Sequence, residues 1–175
     1  MEKLDLYDIN KSRTGEILER GKDIPNDRYR LVVHILVFNS KGEMLIQQRV
    51  STKSKYPNKW DISVGGCVKS GETSYQGAER ELSEELGLKV DFSHKVPNFS
   101  INFNTGFDDY YIVHCDIDSN DIVFQKEEVQ QVKWANKEDI KKLLADGEFI
   151  GYRPVLVDFW FDLCRKEYGS FYTDD

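Results

Sequence analysis

Gly66-Cys-Val-Lys-Ser-Gly-Glu72, then seven residues, then Arg80-Glu-Leu-Ser-Glu-Glu-Leu-Gly-Leu88 is the stretch on which the reading of this chain turns. Thr73 with Gln76 forms a capping-box signature and Gly87 supplies a stop, which predicts a helix from about Thr73 to Leu86. Each helical residue advances about 100°, so Glu84 lies about 60° to one side of Glu81 and Glu85 about 40° to the other. These carboxylates share one face. Ala78, Leu82 and Leu86 fall on another, which is expected to pack on a sheet.

Like charges at this spacing repel, and the helix sets Glu79, Glu81, Glu84 and Glu85 against the single base Arg80. A solvated acidic face accounts for any one of these glutamates taken alone. It does not account for the whole pattern. Gly66, Glu72, Arg80, Glu81, Glu84, Glu85 and Gly87 at these spacings arise by chance roughly once in a million chains of this size, at ~6–7% per position. Divalent cations, which prefer hard oxygen ligands, give such a cluster a purpose. Gly65-Gly66 is expected to form a turn ahead of the helix, where the backbone approaches a metal or phosphate closely.

The stretch from Gly66 to Leu88 resembles the Nudix box with every fixed position filled. The resemblance implies a Nudix-type α/β/α sandwich with a mixed β-sheet. It also implies metal-dependent hydrolysis of a diphosphate linkage in a small molecule, a nucleoside diphosphate derivative being the expected substrate. Glu81, Glu84 and Glu85 would hold Mg²⁺ (or Mn²⁺), with the Gly65 carbonyl as a further ligand. Arg80 would orient a glutamate by salt bridge, and Glu72 and Gly66 would support these ligands from behind. A carboxylate must accept a proton from the attacking water. Glu81 is one candidate; Glu127 or Glu128, just before a strand beginning at Val129, is another.

Upstream, Arg49-x3-Lys53-x-Lys55-Tyr-Pro-Asn-Lys-Trp60 is a basic loop. It is similar to the segment preceding the box in the isopentenyl-diphosphate isomerase branch, where bases hold the diphosphate. Arg49, Lys53 and Lys55 are therefore candidate phosphate contacts. The same resemblance requires a cysteine where this chain has Gly65 and a histidine near Arg30. Those departures favour hydrolysis over isomerisation. A non-catalytic metabolite-binding module would be expected to lose a box glutamate, and none is lost.

Further out, Arg30–Phe38 is a near-continuous apolar run, which predicts a central strand. Strands are expected at 43–49, 60–64, 88–94, 98–104, 109–117 and 129–134. Helices are expected from an Asn136 cap to about Ala145, and after Pro154 with Val155, Leu156, Phe159, Trp160 and Leu163 as the apolar stripe. Residues 4–20 read as a β-hairpin, so 1–29 form an N-terminal extension of a single domain covering 1–175. Trp60, Tyr56, Phe103 and Phe107 are read mainly as packing residues, with base stacking as the alternative. Asp108 and Asp109 are candidates for a turn, for metal binding or for substrate contact.

The 31 acidic and 24 basic residues give a net charge of −7, against a nucleic-acid polymer as partner. Metal ions can still bring phosphate to an acidic protein. Cys67, Cys115 and Cys164 form no CxxC pair, and His34, His94 and His114 lack zinc-site spacing. Without a signal-peptide pattern or a membrane-length apolar run, the expected location is cytoplasmic. A homodimer is the expected assembly.

Overall fold

The apolar run Arg30–Phe38 forms a nine-residue strand, β3, with Val33, Ile35, Leu36, Val37 and Phe38 fully buried. The computed structural model describes residues 2–93 and 95–164; His94 lies outside the described residues. Ahead of β3 lie β1 (Lys3–Tyr7) and β2 (Arg13–Glu19). After it come β4 (Met44–Arg49), β5 (Trp60–Asp61), β6 (Val64–Cys67), α1 (Ser74–Leu86), β7 (Phe99–Phe103) and β8 (Gly106–His114). The chain continues through β9 (Val129–Ala135), α2 (Lys137–Ala145) and α3 (Pro154–Leu163). β1 and β2 pair as an antiparallel hairpin. The other strands join in the order β5-β4-β3-β8-β7, with β6 paired to β3 and β9 to β4. This is the expected α/β fold, with a mixed sheet and an N-terminal hairpin.

Two compact units are present. The first comprises the described residues up to Ile35 together with Val64–Tyr111. In it the Thr73 hydroxyl accepts from the Gln76 N–H while the Gln76 side chain accepts from the Thr73 N–H, at 2.9 Å for the latter. Gly87 closes α1 in the left-handed conformation at φ 64°. Ala78, Leu82 and Leu86 are fully buried, as the helical periodicity predicts. Two expectations fail here. Gly65 and Gly66 do not turn: they pair with His34 and Val33 inside β6, and the turn falls later, at Lys69–Glu72. Residues 88–93 form no strand. Their alternation reflects Phe92, which is fully buried, meets Tyr111 edge-on at 5.3 Å, and donates its N–H to Glu79 at 2.8 Å.

The second unit comprises Leu36–Ser63 and the described residues from Ile112 onward. β4 pairs with β9 from Met44↔Ala135 to Arg49↔Val129. Ser63, with no exposed surface, accepts from the Val37 N–H at 2.9 Å and donates to the Leu45 carbonyl at 2.5 Å. Ser63→Ala should lower stability by about 1–3 kcal/mol in urea unfolding, because a buried N–H loses its acceptor. Asn136 caps α2 as expected. In α3, Val157 and Trp160 are the buried positions, whereas Val155 and Phe159 are exposed. The apolar stripe is narrower than its sequence suggests because α3 is apolar around much of its circumference.

Candidate active site

The functional groups of the first unit are set by α1 facing β6. A Cβ at Gly66 would overlap the Glu81 carboxylate. Glycine is thus required by close approach in an extended strand, not by a turn. Glu81 and Glu85 are buried and Glu84 is about half exposed. The helix therefore carries two of its carboxylates into the protein and leaves a third at the rim.

Arg80 organises this cluster. Its guanidinium donates from Nε to Glu72 Oε1 at 2.7 Å and from Nη2 to Glu72 Oε2 at 2.9 Å, a bidentate pair. Nη2 also donates to the Cys67 carbonyl at 3.0 Å. Nη1 lies 2.7 Å from Glu81 Oε1 and 3.2 Å from Glu84 Oε2. The resemblance expected Arg80 to orient one glutamate; it holds three. Lys69 Nζ adds a longer contact to Glu84 at 3.4 Å.

Burial sets the protonation behaviour. It pushes the Glu81 carboxyl above its ordinary pKa, and the Arg80 guanidinium only partly offsets this. Burial also opposes ionisation of Glu72, but hydrogen bonds from Arg80 and the Lys69 N–H outweigh it and hold Glu72 below its ordinary value. A carboxyl depressed in the folded state adds stability above its unfolded pKa and loses it as pH falls through the folded value. Melting temperature should therefore drop on acidification from about pH 5 to about pH 3 more steeply for the native chain than for Glu72→Gln.

Among the described residues, no three acidic, histidine or cysteine side chains are gathered into a ready metal cage. Glu81 and Glu84 are both turned onto Arg80, as uncompensated carboxylates near a guanidinium should be. The donor set nevertheless fits a hard divalent cation. The carboxylates share one helix face, and Glu81 and Glu85 are buried.

The second unit holds the basic loop. Arg49 Nη1 lies 3.5 Å from Asp61 Oδ2, and Arg49 Nε donates to the Lys55 carbonyl at 3.3 Å. Lys53 is ion-paired with Glu128. Two residues read separately, one as a phosphate contact and one as a general base, are thus brought together. Trp60 is buried, with Lys133 Nζ 4.4 Å from its ring centroid, so its role is packing. Tyr56 is exposed. In the first unit, Arg30 lies over the Phe103 ring at 5.6 Å and Phe107 packs against Tyr29 at 5.3 Å.

Asp108 and Asp109 sit within β8, not in a turn. Asp108 Oδ1 meets His34 Nε2 at 3.1 Å. Asp109 is buried, and its carboxylate accepts from Ser100 Oγ at 2.5 Å, Ser74 Oγ at 2.6 Å and the Lys11 ammonium. Its burial and partners make it an anchor between β8, β7, α1 and the hairpin turn.

The NUDIX domain family matches residues 28–159. An uncharacterized Nudix hydrolase of Listeria monocytogenes is 43% identical over 152 residues, 87% of this chain and 90% of that protein. A crystal structure from Deinococcus radiodurans superposes with a TM-score of 0.73 at 27% identity, covering 94% of this chain and 100% of that one. A weaker likeness, 29% over 117 residues and 65% of this chain and 66% of the relative, is to an isopentenyl-diphosphate Delta-isomerase of Halorhodospira halophila. The chain belongs to the Nudix hydrolase family.

Proposed function

We propose that this enzyme hydrolyses the diphosphate linkage of a nucleoside diphosphate derivative with the help of Mg²⁺ or Mn²⁺. The observation that carries the reading is the pair of buried glutamates, Glu81 and Glu85, on the face of α1 that meets Gly66. Glu81, Glu84 and Glu85, with the Gly65 carbonyl, are the candidate ligands. A bound divalent ion would neutralise diphosphate oxygens and acidify water. Within the chain, Arg80 keeps Glu81 and Glu84 on one side of the helix, and Glu72 keeps Arg80 in place. Glu81, buried and 2.7 Å from Arg80 Nη1, is one candidate to take the proton of attacking water. Glu128 is the alternative base, with its charge already engaged by Lys53. Arg49, Lys53 and Lys55 are the candidate phosphate contacts of the second unit.

A panel of nucleoside diphosphate derivatives, dinucleoside polyphosphates and isoprenyl diphosphates, assayed with Mg²⁺, with Mn²⁺ and with EDTA, tests this. Metal-dependent cleavage of at least one nucleoside diphosphate derivative is expected, and turnover that survives EDTA would contradict the metal assignment. The isomerase likeness supplies a second reading. Against it, Gly65 occupies the cysteine position, and Cys67 is buried with its thiol pushed above its ordinary pKa by that burial. Solvent deuterium entering isopentenyl diphosphate would support isomerisation; no incorporation is expected.

A further inference from the structure

The loop Lys69–Glu72 joins β6 to α1 and carries Glu72, the residue that holds Arg80. It is also contacted by the N-terminal hairpin, all of which precedes the family match at residue 28. Asp5, in β1, spans the loop: Oδ1 accepts from Ser70 Oγ at 2.6 Å and Oδ2 from the Gly71 N–H at 2.9 Å. The Ser70 N–H donates to the Lys3 carbonyl at 2.8 Å. Arg13, in β2, lies 3.3 Å from Asp5 Oδ2 through Nε and donates to the Glu72 carbonyl through Nη2. Gly71 sits at φ +88°, so this loop conformation is one that most residues resist.

An open surface depression lined by Glu2, Lys3, Lys69 and Ser70 lies where the hairpin meets the loop. The hairpin thus contacts the loop through these hydrogen bonds and through Arg13. From Glu72 the path is continuous: the Glu72 carboxylate grips Arg80, and Arg80 contacts Glu81 at 2.7 Å.

We propose that Asp5 and Arg13 of the N-terminal hairpin are positioning residues for the hydrolytic reaction, fixing the loop whose Glu72 sets Arg80 and, through it, Glu81. This rests on the hydrolase reading above. The hairpin is then a working part of the active centre and not an appendage. Neither residue touches the reacting atoms, so the loss on mutation falls on turnover and not on substrate capture.

The test uses the full chain and the diphosphate substrate found in the panel. Asp5→Ala is expected to lower kcat about 10- to 100-fold, the range typical of groups that orient a ligand from behind, with KM changed less than about threefold. Asp5→Asn, which keeps one acceptor oxygen, should lose less than Asp5→Ala. Arg13→Met should also reduce kcat. Because both residues act on one loop, the Asp5→Ala/Arg13→Met double variant should lose no more than about twice the larger single effect. Glu16→Gln removes an exposed hairpin pair with Arg28 and should leave kcat unchanged. Circular dichroism melts keep every assay below the unfolding range. The proposal is overturned if folded Asp5→Ala keeps kcat within about twofold, or if KM alone changes, or if the single losses multiply in the double variant. Native protein inactive on every diphosphate would instead overturn the hydrolase reading, which the Asp5 comparison does not touch.

Discussion

Glu81→Gln should lower the diphosphate hydrolysis rate by about 10³-fold, within the range for loss of a general base, while the protein melts at or above the native temperature in metal-free buffer. Activity and stability move in opposite directions because Glu81 is a buried carboxyl whose ionisation is opposed by desolvation. A neutral amide of the same shape removes that cost. Arg80 keeps its bidentate bond to Glu72 and its contact with Glu84, so no bare cation is left behind. A residue serving only the fold would give the reverse pattern, with stability lost and catalysis spared. Thermal melts with and without Mg²⁺ complete the check: the ion should raise the native melting temperature and raise that of Glu81→Gln much less.

Gly66→Ala is the second large effect expected, a fall of about 10²-fold or more in rate from one added methyl group. The added carbon would occupy the position of the Glu81 carboxylate. The backbone has little freedom to retreat, because Gly66 is paired with Val33 and its neighbours Gly65 and Cys67 with His34 and Val32. The glutamate must therefore swing away, which also strips Arg80 of its 2.7 Å contact. Overpacking of this kind typically costs about 1–3 kcal/mol. In a Glu81→Ala background the obstruction is gone, so Gly66→Ala should then cost almost nothing in urea unfolding. An equal cost in both backgrounds would mean that the strand, not the carboxylate, demands glycine.

These residues also show what the sequence could and could not convey. The helix, its Thr73–Gln76 cap, its Gly87 stop and its buried Ala78, Leu82 and Leu86 were legible because each is local or periodic. The sharing of one face by Glu81, Glu84 and Glu85 followed from the same period. The conformation of Gly65-Gly66 did not. A glycine pair after a short strand reads as punctuation, and only the tertiary approach of Glu81 shows that Gly66 sits in a strand to make room. The alternation of Leu88, Val90 and Phe92 imitated a strand, although Phe92 alone is buried and its N–H is satisfied by Glu79. The Asp5–Ser70 and Lys11–Asp109 contacts link residues 65 and 98 positions apart and leave no local pattern at either end. Arg80 was expected to pair with one glutamate; that it serves Glu72, Glu81 and Glu84 together depends on how the loop folds back. Lys53 and Glu128 gave no hint of each other in the sequence for the same reason.

In the proposed reaction, water, with its proton taken by a carboxylate of this chain, breaks a diphosphate linkage. The most direct measurement is ³¹P NMR of the products formed in ¹⁸O-water from the best substrate of the panel, with Mg²⁺ present. Hydrolysis predicts one ¹⁸O atom in one of the two phosphate-bearing products and none in remaining substrate, with labelled product forming about 10³-fold more slowly for Glu81→Gln. Product without label, label appearing outside a phosphate group, or labelled product formed by the Glu81→Gln protein at the native rate would contradict the proposed reaction.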